Sequence, residues 1–170
     1  MPVHHIIGNA LDFPEGTNVL VHCANRQGTF GAGIARQIAE EFPAAAEADQ
    51  EAFKDGTNHL GTFSSAVVAG GTKRIVSLYG QTEYGADSRQ LDYEALYTGL
   101  ERLRTVLQDA LAQGRAYRVA MPWLGCGLAG GSRKIVAAMI EDIFGESPIE
   151  VFVVEYAKGQ RAAAPTTESH

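Results

Sequence analysis

Two glycine-rich loops carry the residues best suited to binding an anion. The first runs from Ala24 to Ala35 (ANRQGTFGAGIA) and the second from Trp123 to Gly131 (WLGCGLAGG). Each follows an apolar run typical of a strand and precedes a segment typical of a helix. Glycine lets a phosphate approach the backbone, and a helix N-terminus favours negative charge. Either loop alone fits an ordinary tight turn equally well, but the pair predicts a ligand with two linked phosphates.

Three polar side chains near these loops are candidates for activating or holding a water molecule. His22 ends the apolar run before the first loop, and imidazole is the usual general acid or base near neutral pH. Asp87, in the polar segment 80–91, would orient water, and Gln81 would position the same water without acting as a base. The alternatives stay open: a buried histidine bonded to its neighbours, and an aspartate in a surface turn.

The composition argues against several classes of protein. A formal charge of −6 does not suit a general nucleic-acid coat, because such coats need clustered Lys and Arg. Cys23 and Cys126 do not make a disulfide framework, and no Cys/His spacing matches a zinc pattern, so we expect no metal and no cofactor. Neither a signal sequence nor an apolar run of about 18 residues occurs. We therefore expect a cytoplasmic protein without a membrane segment.

Strand and helix patterns alternate along the chain, which favours an α/β sheet covered on both faces. We expect one domain, residues 1–157, and a disordered tail, residues 158–170. The predicted strands are Val3–Ile7, Asn18–Cys23, Thr62–Val68, Arg74–Tyr79, Arg118–Pro122 and Glu150–Glu155. The predicted helices are Gly33–Phe42, Ala44–Phe53, Tyr93–Leu111 and a last one capped by Ser132, with Ile135, Met139 and Ile143 on its inner face. Ligands of such sheets lie beyond the carboxyl ends of the strands.

A dinucleotide-binding fold is the obvious rival, because Gly125, Gly127 and Gly130 have the G-x-G-x-x-G spacing after a strand. That fingerprint requires a further βαβ unit and an acidic residue about 20 positions on. Only one helix and one strand follow here. A Walker-type loop is excluded because no Gly-Lys-Ser/Thr occurs.

The sequences HCAN (His22–Asn25), GAGIA (Gly31–Ala35) and MPWLGCGL (Met121–Leu128) resemble the macrodomain family. The segment from Gly80 to Leu96 is similar to the branch of ADP-ribose 1''-phosphate phosphatase-like and terminal ADP-ribose hydrolase-like proteins. The similarity extends from about Val3 to Tyr156. It implies a three-layer α/β/α fold with a mixed, mostly parallel central sheet and a cleft for ADP-ribose.

The resemblance also implies positions within that cleft. Asn25 would bond the distal ribose, Phe30 would pack on it, and Asn9 with Tyr156 would lie near the adenine. Backbone of both loops would wrap the pyrophosphate. The implied ADP-ribose residues are Asn9, Ala10, Asn25, Phe30, Gly31, Ala32, Gly33, Ile34, Pro122, Gly125, Cys126, Gly127, Leu128 and Tyr156.

Three positions depart from relatives in the family. Asn9 stands where many members have an aspartate that accepts a bond from the adenine amino group, and its neutral carbonyl would accept more weakly. Gln81 and Ala129 replace the Lys and Asp of the similar protein-glutamate hydrolases, so that mechanism does not carry over. Two functions remain: a monomeric hydrolase of ADP-ribose 1''-phosphate or of ADP-ribose esterified to protein or nucleic acid, and a non-catalytic ADP-ribose reader.

Overall fold

The computed structural model of the chain describes residues 2–82, 89–127 and 129–157. Within these residues, six strands form one sheet and four α-helices pack on it. The strands are β1 (Val3–Gly8), β2 (Val19–Asn25), β3 (Phe63–Val68), β4 (Lys73–Gln81), β5 (Arg118–Met121) and β6 (Glu150–Tyr156). The helices are α1 (Gly33–Glu41), α2 (Pro43–Asp55), α3 (Tyr93–Ala112) and α4 (Arg133–Phe144).

The strand order is β1-β6-β5-β2-β4-β3, and every neighbouring pair is parallel except β3 with β4. The sheet is therefore mixed and mostly parallel, as the sequence predicts. Because parallel strands end at the same edge, the segments that follow β1, β2, β4 and β5 all begin there. β2 and β4 run two residues further than predicted, which pairs Asn25 with Gln81 at that edge.

The two faces of the sheet carry separate hydrophobic clusters. Val21 points to the face that packs with Leu100 of α3 and Ile140 of α4. Its neighbour Leu20 points to the other face, against Ile38 of α1. Successive side chains of a strand alternate between faces, so a continuous apolar strand requires cover on both sides. The three-layer α/β/α architecture and the α/β fold class are confirmed.

The predicted inner face of α4 is wrong at Ile135, whereas Met139 is partly buried against the core and Ile143 is buried. Ile135 is 44% exposed, whereas Val136 and Ile140 are buried together with Ile143 and Phe144. The prediction took apolar residues at a spacing of four, but a helix turns every 3.6 residues, so a strict spacing of four drifts off the buried face. Only Ile143 belongs to both sets.

No helix in the described part of the chain is long and apolar enough to cross a membrane. The predicted tail, residues 158–170, lies outside the described residues. Asp87 and Leu128 lie outside them as well.

Candidate functional site

A cavity of about 550 Å³ opens at the carboxyl edge of the sheet, between the two glycine loops. The lining consists of Cys23, Ala24, Asn25, Thr29, Phe30, Gly31, Ala32, Gly33, Ile34, Ala35, Gln81, Pro122, Trp123, Leu124, Gly125, Gly127 and Ala129. None of these side chains carries a formal charge, so attraction of an anion falls to backbone N–H groups and helix dipoles.

The first loop delivers an open helix N-terminus to this cavity. α1 has no side chain that caps it, and the backbone of its first turn, from Gly33 to Ala35, lines the cavity. The first N–H groups of a helix have no acceptor within the helix. They therefore remain available to an anionic ligand, in the arrangement that favours phosphate.

Asn25 organises the first loop from its base. Its side-chain Oδ1 accepts from the backbone N of Gln27 at 2.8 Å, and its Nδ2 donates to the carbonyl of Thr29 at 3.2 Å. A carboxamide has two acceptor sites and two donor hydrogens, so each atom keeps one for a ligand. The predicted ribose contact therefore has the capacity it needs, and Asn25 holds the loop whether or not a ligand is present.

The loop is also tied to its surroundings by Arg26 and Asn58. Arg26 Nε donates to the carbonyl of Asn58 at 2.8 Å, and the side-chain Nδ2 of Asn58 donates back to the carbonyl of Arg26 at 2.9 Å. Asn58 is buried. This reciprocal pair of hydrogen bonds holds the backbone directly after β2, where the first loop begins. The bonds are made within the protein, so the loop is held at this point without a ligand.

The second loop differs from the sequence expectation. The N–H of Gly131 donates to the carbonyl of Gly125 at 2.7 Å, and that of Gly130 to Gly127 at 3.1 Å. The N–H of Ser132 donates to the hydroxyl of Tyr93 at 2.9 Å, and Ser132 caps α4. These three N–H groups are therefore engaged without a ligand, so fewer donors of the second loop are open to an anion than the sequence predicts. The second loop contributes the backbone at Gly125 and Gly127 instead.

His22 does not reach the cavity. It is fully buried in β2, its Nε2 lies 2.8 Å from Ser77 Oγ, and its Nδ1 has no hydrogen-bond partner among the described residues. Phe30 covers it edge-to-face, with ring centroids 5.1 Å apart, and Phe30 itself lines the cavity. Burial lowers the pKa of the imidazole to about 4. As placed, His22 is a neutral support behind Phe30, which does not favour the direct catalytic role predicted for it.

The lowered pKa of His22 predicts a loss of stability in acid. The unfolded chain takes up the proton near pH 6.5, whereas the folded chain resists it down to about pH 4. Between these values the unfolded state binds more protons. As the pH is lowered from 6.5 to 4, the contribution of His22 to the free energy of unfolding should therefore decrease by about 3 kcal/mol, and below pH 4 it should stay constant. Denaturant titrations at a series of pH values measure it.

The control for this pH dependence is an exposed histidine. His22→Gln should flatten the acid-side slope, because glutamine does not titrate, while His59→Gln should retain it, since His59 is exposed. Equal slopes in wild type and His22→Gln would show that another group is responsible.

Gln81 lies where the sequence predicts it, in the cavity lining at the end of β4. It is paired with Asn25 in the sheet and forms an isolated antiparallel bridge with Leu91. The polar segment after β4 therefore returns to the cavity edge at Leu91. Asp87, the other water-orienting candidate, belongs to the part of that segment that the structure does not describe.

The residues expected near the adenine lie at the β1/β6 end of the same edge, outside the cavity lining. Asn9 is 6% exposed, and its Oδ1 accepts from the backbone N of Leu11 at 2.9 Å. One acceptor site of the side-chain oxygen is therefore occupied and one remains, while Nδ2 has no hydrogen-bond partner among the described residues. Ala10 is buried beside it, while Tyr156 is 53% exposed at the end of β6.

Several lining residues escaped the sequence prediction: Cys23, Ala24, Thr29, Ala35, Trp123, Leu124 and Ala129. Most are small or apolar and carry no chemical signal of their own. Trp123 is the one large side chain among them besides Leu124. The Arg133 guanidinium lies 5.3 Å from the Trp123 ring centroid, and the His5 ring stacks at 5.7 Å.

The two cysteines are not activated nucleophiles. Burial raises the pKa of the Cys23 thiol to about 12, and burial also raises the pKa of Cys126. Cys126 directs its Sγ to the carbonyl of Leu124 at 3.4 Å rather than into the cavity. Reactive cysteines need a lowered pKa, so neither thiol is suited to act as a nucleophile here. Within the described ranges, no three His, Cys, Asp or Glu side chains gather in a way that could hold a metal ion.

Comparison with known proteins identifies the class to which this fold and cavity belong. Residues 21–140 match the family described as Macro domain, and the chain therefore belongs to the macrodomain family. A 17.5 kDa protein of the tk-vs intergenic region of Enterobacteria phage T4 is 29% identical over 161 residues, spanning 92% of this chain and 97% of the relative.

Solved structures share the fold. The macrodomain of Mycobacterium tuberculosis DarG has a TM-score of 0.76 at 24% identity, covering 90% of this chain and 96% of the other. Thermosipho africanus DarTG, solved in complex with ADP-ribose, has a TM-score of 0.69 at 18% identity. That match covers 86% of this chain and 40% of the longer DarTG chain.

Proposed function

We propose that the cavity binds ADP-ribose with its diphosphate against the N-terminus of α1. The observation that carries the proposal is the uncapped first turn of α1, whose residues line a cavity in which none of the described lining side chains is charged. Backbone N–H groups at a helix N-terminus are suited to a phosphate in such a place. A structural relative solved with ADP-ribose supports the same ligand class.

The strand order orients the ligand along the edge of the sheet. The distal ribose belongs at the β2/β4 end, where Asn25 and Gln81 are paired, with Phe30 packed against it. The adenine belongs at the β1/β6 end, where Gly8 pairs with Tyr156 and Asn9 follows. In between, the diphosphate spans the two glycine loops.

We propose hydrolysis of an ADP-ribose derivative, either the 1''-phosphate or an ester to protein or nucleic acid. Gln81 would hold a water molecule for attack on the phosphorus of the 1''-phosphate or on C1'' of an ester. Asp87 would accept its proton, and the leaving oxygen would take that proton as its bond to phosphorus or to C1'' breaks. His22 would act indirectly, by supporting Phe30. Donors that are fixed before the reaction are often the largest catalytic contribution, and the loop backbone supplies them here.

The second candidate is a reader that binds ADP-ribose without turnover. The specific observation that favours it is the chemistry of the lining: the described side chains are uncharged, and neutral His22 lies behind Phe30. Such a site offers binding groups but no described general base. Asp87 thus distinguishes the two candidates.

Calorimetric titration with ADP-ribose and with NAD tests the binding proposal. We expect ADP-ribose to bind at about micromolar Kd or tighter and NAD to bind more weakly. NAD binding as tight as that of ADP-ribose would instead support a dinucleotide enzyme, and no affinity for ADP-ribose would overturn the proposal. Incubation with ADP-ribose 1''-phosphate, ADP-ribosylated protein and ADP-ribosylated DNA then separates enzyme from reader.

Substitution of Asp87 tests the catalytic assignment. Asp87→Ala should lower kcat by about a hundredfold, the range of a lost general base, while the Kd for ADP-ribose changes less than about threefold. His22→Ala should also slow turnover, by loosening Phe30. The matched control is Asp109→Ala, an exposed aspartate on α3. Unchanged turnover in both site variants would refute these roles.

A further inference from the structure

A segment between β4 and α3, residues Arg89–Tyr93, holds the second glycine loop in place. The backbone N–H groups of Gln90 and Leu91 both donate to the carbonyl of Ala129, at 2.9 and 3.2 Å. Asp92 anchors the segment itself, because its N–H donates to the carbonyl of Gly80 at 2.8 Å. We call residues 89–93 the brace segment.

The brace segment also fills the interior of the loop. A Cβ atom on Gly125 or Gly131 would lie 2.6 or 2.4 Å from the methyl carbons of Leu91, closer than real carbon atoms approach. Leu91 is buried. The loop therefore wraps around this side chain, and the glycines are needed for the fit as well as for access by a ligand.

Tyr93 holds the end of the loop where α4 begins. Its hydroxyl accepts from the N–H of Ser132 at 2.9 Å, satisfying a donor that the start of the helix would otherwise leave unpaired. The guanidinium of Arg89 lies 4.5 Å from the centroid of the Tyr93 ring, a cation–π contact that holds the ring. The hydrogen bond between Tyr93 and Ser132 joins residues 39 positions apart in the sequence.

The brace segment is linked to the cavity at two points. Leu91 forms the bridge to Gln81, and the Ala129 carbonyl receives two of the brace bonds. Gln81 and Ala129 both line the cavity. A change in the brace segment is thus transmitted directly to the wall on which the ligand would lie.

We propose that Tyr93 is a positioning residue for the ligand, which sets the second glycine loop in its binding conformation by capping the start of α4. The proposal rests on the proposed function for the identity of the ligand. Tyr93 does not itself line the cavity. The Tyr93 hydroxyl instead holds the second loop where the loop ends, through its hydrogen bond with the N–H of Ser132.

Tyr93→Phe removes the hydroxyl and keeps the ring on which Arg89 lies. The chain offers a matched control in Tyr97, one turn along α3, whose hydroxyl donates to the Asp142 carboxylate of α4. Tyr97→Phe removes an equivalent link between the same two helices, away from the loop. Thermal melts of both variants check that each still folds.

Amide hydrogen exchange of the ligand-free protein is the first measurement. Tyr93→Phe should speed exchange at the amides of residues 125–127 and 129–132 by about tenfold, the effect of one lost hydrogen bond, whereas Tyr97→Phe should leave them unchanged. Calorimetric titration with ADP-ribose is the second. Tyr93→Phe should weaken binding by about tenfold and Tyr97→Phe by less than twofold.

Amide exchange and calorimetric titration distinguish a failure of the positioning role from a failure of the proposed function. If wild type does not bind ADP-ribose, the proposed function is wrong, and the exchange contrast alone still decides whether Tyr93 sets the loop. If wild type binds and Tyr93→Phe binds equally well, or if loop exchange is the same in both variants, Tyr93 is not a positioning residue.

Discussion

Gly33→Val is expected to abolish measurable ADP-ribose binding in a chain that still folds. Gly33 is the first residue of α1 and lines the cavity. A Cβ there would meet nothing within 4 Å, so the valine side chain would project into open space at the cavity wall. Occupying the place of a phosphate should weaken binding by at least about a hundredfold, measured by calorimetry.

Gly33 also has a φ of +60°, so valine adds backbone strain of about 1–3 kcal/mol that has to be separated from the loss of binding. Gly56 provides the control. It has a φ of +70°, also faces open space, and follows α2 outside the cavity lining. In denaturant titrations Gly33→Val and Gly56→Val should lose similar stability. Only Gly33→Val should lose ADP-ribose binding. Normal binding by Gly33→Val would place the diphosphate elsewhere.

The sequence predicted those features of the fold that are recorded locally. The apolar run of β2 predicts a strand, and the regular leucine spacing of α3 predicts a helix. The glycines that follow two of the strands indicate where a ligand can approach the backbone. The carboxyl-edge rule for α/β sheets then brings both glycine loops to one place. The cavity between the two loops agrees with that expectation.

The sequence did not predict which polar groups are already used. The α4 N-terminus is capped by Tyr93, which lies 39 residues earlier, and no local pattern announces that bond. His22 is fully buried, and Phe30 covers it edge-to-face. These are tertiary facts about hydrogen-bond capacity and burial. The type of a residue determines which hydrogen bonds and proton transfers it can make. Its neighbours in the fold determine which of these remain available to a ligand.

The glycines of the second loop lead to the largest expected loss of stability. A Cβ on Gly131 would lie 2.7 Å from the carbonyl oxygen of Gly125, which is backbone and cannot move aside. Gly131→Ala should also break the hydrogen bond from Gly131 N to that oxygen. Overpacking and the lost hydrogen bond together should cost about 3 kcal/mol or more, measured by denaturant unfolding, and ADP-ribose binding should fall with it.

Gly125→Ala is the comparison, because the three atoms nearest to its Cβ would all belong to the Leu91 side chain, although its φ of +68° adds backbone strain that Leu91 does not affect. Shortening that side chain removes the obstruction, so Leu91→Ala should partly rescue Gly125→Ala in a double-mutant cycle, with a coupling of about 1 kcal/mol or more. The same shortening leaves the backbone conflict at Gly131 in place. Leu91→Ala should therefore rescue Gly131→Ala much less. Equal rescue of both variants would mean that the second loop adapts around Leu91, and a loop that adapts so readily would not need the brace segment to hold it.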